Sequence, residues 1–414
     1  MKKLFYILSP NERKRGVILL VMGIVTALID MAGVASIMPF IAVLVNPEIV
    51  DTNTILNTAF EISVIFGVKT NQQFLFFLGI LVFILLIFSI TFKALTMYVQ
   101  THFIEKIDYS IGKRLVDGYL HQPYSWFLNR NSAELGKSVL SEVRTVVNSA
   151  LKPFLDLIGK SFVTLAILLL LILVNPKLAI IVGFTLMFSY GCIYMFTQVF
   201  LKQIGRDRFK ANSLRYNVVG EAFGAIKEIK MGGLEKVYTQ RFSDPAQTIA
   251  KHSASLTVVS QIPRFGLEAI TFGGLLLTIL FLMGESNTFA SVLPVVALYA
   301  FAAYRLMPAL QQIYNSITQM RFVGPALESL YNDMSSLQSL RQDENQADLP
   351  FKKAITLKQV HYQYPRSSQT VLKNINLNIP ARNTVAFVGA TGSGKTTTVD
   401  IILGLLEVKQ GTLE

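Results

Sequence analysis

The sequence predicts an α-helical membrane domain of six transmembrane helices followed by a partial α/β domain that carries a P-loop. Three observations predict it. The 414 residues are 52% hydrophobic and 15% charged, with a mean hydropathy of +0.47, against roughly 25% charged residues in an average soluble domain. Apolar stretches long enough to cross a membrane recur six times in the first three quarters of the chain. Near its other end, Gly389 to Thr396 reads GATGSGKT, the G-x-x-x-x-G-K-[ST] pattern of a phosphate-binding loop.

The six stretches are Gly16 to Val45, Phe74 to Val99, Ser149 to Val174, Leu178 to Phe200, Val258 to Met283 and Phe289 to Ile313. The first would be about 45 Å long as a helix, more than the roughly 30 Å hydrocarbon layer. A cleavable signal core is only about 7 to 15 residues, so this stretch reads as a retained span even though the charged MKKLFYILSPNERKRG precedes it. The connectors sort by charge. Lys2, Lys3, Arg13, Lys14 and Arg15, then Lys106, Lys113, Arg114, Arg130 and Lys137, then Lys202, Arg206, Arg208, Lys210, Arg215, Lys227 and Lys230 fall on one side, against Lys69 and Lys177 on the other. Positive residues stay in the cytosol, so the N-terminus and both long connectors are expected there. An even number of spans returns the P-loop domain to the same side. The outward turns are expected at Asn175 to Lys177 and Gly284 to Asn287. The outward segment Asn53 to Val68 reads either as an amphipathic helix on the outer membrane surface or as a capped loop helix.

The net charge of +12 does not imply nucleic acid, because the basic residues flank apolar spans instead of forming a stripe on a soluble surface. Cys192, the single cysteine, lies in an apolar run and excludes an intrachain disulfide. His102, His121, His252 and His361 lack metal-ligand spacing.

Ionisable groups at membrane depth are costly unless they face a partner or a cavity. Asp30, Lys93, Arg264, Glu268 and Arg305 are in that position. Arg264 and Glu268 are four apart and suit an internal ion pair. Lys93 and Arg305 lie toward the cytosolic ends of their spans, where long side chains snorkel. Asp30 either pairs with a basic side chain or caps a break near Pro39. The functional alternative is that Lys93, Arg264 and Arg305 line a cavity and bind an anionic head group, a task that suits arginine geometry.

Residues 1–322 thus form the membrane domain, 323–352 a helix and linker whose composition turns polar around Arg341 to Pro350, and 353–414 the partial α/β domain. Apolar residues alternate at Ile355 and Leu357, then, after a shift, at Val360, Tyr362 and Tyr364, and again at Ile375, Leu377 and Ile379. Thr384 to Val388 reads as a buried strand and Thr396 to Leu406 as an apolar helix, the context the loop requires. Gly389, Gly392 and Gly394 let the backbone turn, so that amides along Ala390, Thr391, Ser393, Lys395, Thr396 and Thr397 face phosphate oxygens at a helix N-terminus. Lys395 is expected to reach the β and γ phosphates and Thr396 to offer its hydroxyl to Mg²⁺.

ITLKQVHYQYP, VLKNINLNIP and NTVAFVGATGSGKTTTVDIILGLLEVKQGTL, read continuously, resemble the first third of an ATP-binding cassette. The whole chain resembles the ATP-binding cassette exporter family in its half-transporter form. That resemblance implies ATP and Mg²⁺ as cofactors, and Tyr364 either stacking on adenine or packing at a strand end. It implies coupling regions at His121 to Leu140 and Gly220 to Phe242, and a dimer with an identical or a different half-transporter. Ile262 to Ile270, Tyr304 to Phe322 and Met38 to Val50 with the outward segment look like the branch of lipid-linked oligosaccharide flippases. That branch implies a lipid-linked or amphipathic substrate and a bacterial inner membrane. The family's glutamine loop, signature, magnesium-binding Asp, water-polarising Glu and switch His do not follow Thr396. The resemblance therefore implies an ATP-hydrolysing translocase when complete, with no catalytic residue in the chain as given. It also implies a severed cassette that leaves Ile401, Ile402 and Leu405 underburied. The alternative is a non-catalytic ATP-binding membrane subunit, or an inactive truncated half-transporter.

Overall fold

Proline lacks an amide hydrogen and its ring collides with the carbonyl four residues back. Pro39 accordingly breaks the first long helix, which runs Pro10–Ala35 and resumes as Ile37–Val45. The computed structural model describes residues 2–128, 130–285, 289–337, 351–364, 367 and 369–414. The expected linker Arg341 to Pro350 and part of the turn at Gly284 to Asn287 lie outside them. At its start the Pro10–Ala35 helix is closed by a capping box. Ser9 Oγ accepts from Glu12 N at 3.3 Å and the Glu12 carboxylate accepts from Ser9 N at 2.7 Å, which satisfies two orphan amides reciprocally.

The chain divides into two compact units, Met1–Arg114 with Gly136–Asp333, and Leu115–Leu135 with Met334–Glu414. The first is built on long helices: Asn71–Leu120, Lys152–Val174, Pro176–Gly224, Glu235–Glu285 and Phe289–Phe322. The first of these has 50 residues, about 75 Å at 1.5 Å per residue, so it runs well beyond the lipid thickness. Five helices among the described residues are long and apolar enough to cross a membrane: Pro10–Val45, Asn71–Leu120, Ser132–Val174, Pro176–Gly224 and Leu293–Phe322. Six were expected. The remaining stretch, Val258 to Met283, is helical within Glu235–Glu285, but part of it falls on side chains outside the described ones.

Val163, Ile167 and Leu171 recur every fourth residue, as do Leu298, Ala302 and Leu306, so each set lines one helix face. Together with Ala27 and Val34 they form the buried core of the bundle, where small residues let backbones approach closely. Gly205 marks another close crossing: a Cβ there would meet the Phe322 carbonyl oxygen inside 3.0 Å. The faces turned away from these cores stay apolar, with Met187 79% and Phe196 86% exposed, as suits helices bathed in lipid.

The outward segment forms the helix Thr54–Val64, capped by Asn53, whose side-chain oxygen accepts from the amides of Ile55 and Leu56. Leu56 packs with Val43, Val50, Phe74 and Leu78, while Ile55, Ile62, Ile65 and Phe66 stay exposed. The segment is capped, and its exposed surface mixes these apolar side chains with Asn57, Thr58 and Glu61.

In the second unit, β1 (Ala354–Tyr362) lies between β2 (Leu372–Pro380) and β3 (Gln410–Leu413), both antiparallel to it. The shift in alternation read before Val360 is a register irregularity between Leu357 and Val360, with Gln359 in the left-handed region at φ 51°. Three sequence expectations are corrected. Thr384 to Val388 forms no strand, and Val388 is 91% exposed, because no described strand lies beside it to complete a hydrogen-bonded ladder. The following helix spans Lys395–Ile402, shorter than Thr396 to Leu406, because Gly404 at φ 72° ends it. Ile401 is fully buried against Leu357, Val360, Leu372 and Leu406; Ile402 is partly buried and Leu405 is 40% exposed. Leu357, Val360 and Leu372 of the β1–β2 pair, with Leu406, cover Ile401.

Candidate functional site

The loop that precedes the Lys395–Ile402 helix depends on backbone angles only glycine adopts easily. Gly392 and Gly394 sit at φ 83° and 89°. Gly394 closes the turn onto the helix, and its carbonyl accepts from both the amide and the hydroxyl of Thr398. Lys395 Nζ donates back to the carbonyls of Gly389 at 2.8 Å and Ala390 at 2.9 Å, so its ammonium lies over the loop's own backbone. Thr391, Gly392, Ser393 and Thr396 are exposed, whereas Thr397 and Thr398 are buried and anchor the helix. Exposed loop amides, a hydroxyl and an ammonium within one turn are the donor set that a polyphosphate and its cation need, and these residues fit both. Tyr364 is half-buried at the edge of the small core. Its ring meets Tyr362 edge-on at 5.1 Å, and its hydroxyl is 3.0 Å from Thr397 Oγ1. Burial pushes the Tyr362 hydroxyl above the ordinary tyrosine range, with the neighbouring Tyr364 and Asp400 adding to the effect.

In the membrane domain, the charges at span depth sort into two groups. Asp30 Oδ1 accepts from Ser89 Oγ at 2.7 Å and lies 2.8 Å from Lys93 Nζ and 3.6 Å from Arg305 Nη1. Asp30 thus pairs with basic side chains, and the helix break at Ser36 does not use it. Lys93 and Arg305 are brought together; Arg264 is not. It pairs with Glu268 at 2.9 Å, four residues on, with its side chain 59% exposed. Sequence reasoning missed a neighbouring polar group. Asp156 accepts from Gln100 Nε2 at 2.7 Å and Gln312 Nε2 at 3.0 Å. Asp156, Gln100, Thr26, Thr96 and Lys160 line a cavity of about 80 Å³, and Lys160 acts electrostatically on Lys93. The available signal was the spacing of Lys152, Asp156 and Lys160, which puts three ionisable residues on one helix face at intervals of four.

The two connecting regions differ. Tyr124–Phe127 begins after Pro123 and belongs to the unit that contains the sheet. Ile226–Gly232 belongs to the helical unit and ends at Gly233, φ 60°. Around it Phe223, Ile226, Met231, Leu234 and Val237 are exposed.

A helical bundle of several spans followed by a small α/β domain with a glycine-rich loop is the arrangement of a nucleotide-linked membrane transporter. Residues 16–308 match the family described as ABC transporter transmembrane region, and residues 372–414 match the family described as ABC transporter. The chain belongs to the ABC transporter family, in the form of an exporter-type half-transporter. It is 23% identical over 307 residues to the ATP-dependent lipid A-core flippase of Cupriavidus pinatubonensis, covering 72% of this chain and 50% of that protein. It is 25% identical over 331 residues to the alpha-hemolysin translocation ATP-binding protein HlyB of Proteus vulgaris, covering 76% and 44%. The chain therefore spans about half the length of the curated relatives it matches. Its fold is similar to that of a bacterial Atm1-family ABC exporter with ATP bound, with a TM-score of 0.69 at 13% identity over 97% of this chain and 67% of the other.

Proposed function

We propose that these 414 residues form the nucleotide-binding membrane half of an ABC exporter, and that their glycine-rich loop binds Mg·ATP. The observation that carries this reading is the loop. Gly392 and Gly394, both left-handed, set an exposed loop directly before a helix whose first residue is Lys395. Lys395, now bonded to the Gly389 and Ala390 carbonyls, would hold phosphate oxygens, and Thr396 would hold the metal through its hydroxyl. The bound Mg²⁺ neutralises phosphate charge. Tyr364 packs on the base. The test is titration of the purified chain with a fluorescent ATP analogue. Lys395→Ala is expected to weaken binding about tenfold or more, as for loss of charge-assisted hydrogen bonds. Binding unchanged by that substitution would overturn the site.

A second reading concerns the complete assembly: two copies, or this chain and a different half, move an amphipathic anionic substrate across the membrane. The N-terminus and the cassette would face the cytosol. The names of the relatives support transport and differ in what is transported, one lipid A-core and the other alpha-hemolysin. The preference for an anionic amphiphile rests on Lys93 and Arg305, two cations that share one carboxylate at span depth.

A further inference from the structure

Three donors converge on a single oxygen in the membrane domain. Ser89 Oγ, Lys93 Nζ and Arg305 Nη1 all approach Asp30 Oδ1. The carboxylate is sealed, with a side chain only 3% exposed, while Lys93 and Arg305 keep 30% and 18% of their side-chain surface. One carboxylate against two cations leaves a surplus positive charge. The adjacent cavity does not cancel it, because Asp156 there takes its hydrogen bonds from the neutral amides of Gln100 and Gln312, and Lys160 lines the same cavity with a charge of opposite sign. A buried charge pair is costly to assemble, and an oxygen held by a hydroxyl, an ammonium and a guanidinium has the surroundings of a phosphate oxygen.

We infer that Asp30 is a resident counter-ion that a multiply charged head group displaces, so that it sets which anions the Lys93–Arg305 pair accepts. The inference rests on the reading that the bundle binds an anionic amphiphile. A singly charged or zwitterionic head group gains nothing by replacing a carboxylate already in place. A phosphate dianion brings two charges to a site with a surplus of one, and wins the exchange. Asp30 is in this sense a specificity-determining residue whose removal widens the site, whereas an ordinary structural ion pair would only stabilise the bundle.

The experiment is equilibrium binding of dodecyl phosphate, with dodecylphosphocholine as the zwitterionic comparison, to the full chain in phosphatidylcholine nanodiscs. Asp30→Asn is expected to tighten dodecyl phosphate binding about tenfold, a typical coupling factor between two ligands of one site, and to let dodecylphosphocholine bind. Lys93→Gln and Arg305→Gln are expected to weaken dodecyl phosphate binding. Equal binding by wild type and Asp30→Asn, while both cation variants bind less, would overturn the counter-ion role and leave the anionic-substrate reading standing. No effect from either cation variant would remove both. Because Asp30→Asn strands two cations and risks misfolding, the same comparison is made between Lys93→Met and the double variant Asp30→Asn/Lys93→Met, in which the surplus is one cation at most. There too the loss of Asp30 must tighten dodecyl phosphate binding; unchanged affinity across that pair would overturn the inference on its own.

Discussion

Gly394 shows how much one residue carries. Its φ of 89° is one that a side chain adopts at a cost of about 1–2 kcal/mol. A Cβ there would also lie 2.6 Å from Leu372 Cδ2, in the core of the small domain. Gly389, five residues earlier, would meet only the Ser393 side chain, at 3.0 Å from its hydroxyl oxygen. Gly394→Ala is therefore expected to lower nucleotide affinity and the melting temperature of the sheet-bearing unit together, while Gly389→Ala changes stability little. Equal melting temperatures for the two variants, read by differential scanning calorimetry, would contradict the strain argument. Elsewhere at this scale, an ion pair with both partners on one helix, Arg264–Glu268, is legible from spacing alone. Asp30 is not, because its partners are supplied by two other helices.

Among the elements, the third helical stretch departs most from regularity. It contains two π-helical segments, Ser138–Glu142 and Val147–Leu151, and the first delivers Glu142 into a buried cluster. Arg208 Nη1 donates to Glu142 Oε2 at 3.3 Å and Asn212 Nδ2 to its Oε1 at 2.7 Å, with Glu142 2% and Asn212 1% exposed. Glu142→Ala strands the guanidinium and is expected to cost about 3–5 kcal/mol, whereas Glu142→Met with Arg208→Met recovers much of the loss. Chemical denaturation of the three proteins checks this; a double variant no better than the single one would count against it. At the end of the same unit, Lys3 ties the N-terminal helix Lys2–Ile7 to Glu328 on the helix Gly324–Ser336, at 2.5 Å. The hydrogen bond from Lys3, then its charge, holds the Glu328 carboxyl below the usual glutamate range. A depressed carboxylate contributes stability above its unfolded pKa and loses it as pH falls through the folded one. Melting temperature should thus fall slightly between about pH 6 and pH 3, by less in Lys3→Gln; identical pH profiles would show that the tie contributes nothing.

For the whole molecule, a nucleotide that binds only the folded small domain stabilises that unit, by about 2.7 kcal/mol at a ligand concentration 100 times Kd. Mg·ATP is expected to raise the unfolding temperature of the sheet-bearing unit and not that of the helical bundle, with no shift in Lys395→Ala. A shift of both transitions in both proteins would place the nucleotide elsewhere. The class of protein was legible in the sequence because hydropathy and the glycine-rich motif are local: apolar runs report lipid, and spaced glycines report a turn that phosphate can approach. The bulge before Val360 was legible for the same reason, as a slip in a period of two. The third β-strand was not, since Gln410–Leu413 is too short to show alternation, and Thr384 to Val388 failed as a strand because pairing depends on a neighbour. By itself, then, the chain determined its glycine-rich loop, its charge at membrane depth and five of the six spans read from it. Tertiary structure alone decided that Lys93 and Arg305 share Asp30 while Arg264 stands apart, because the packing of separate helices sets which charges meet and no spacing along one helix can encode it.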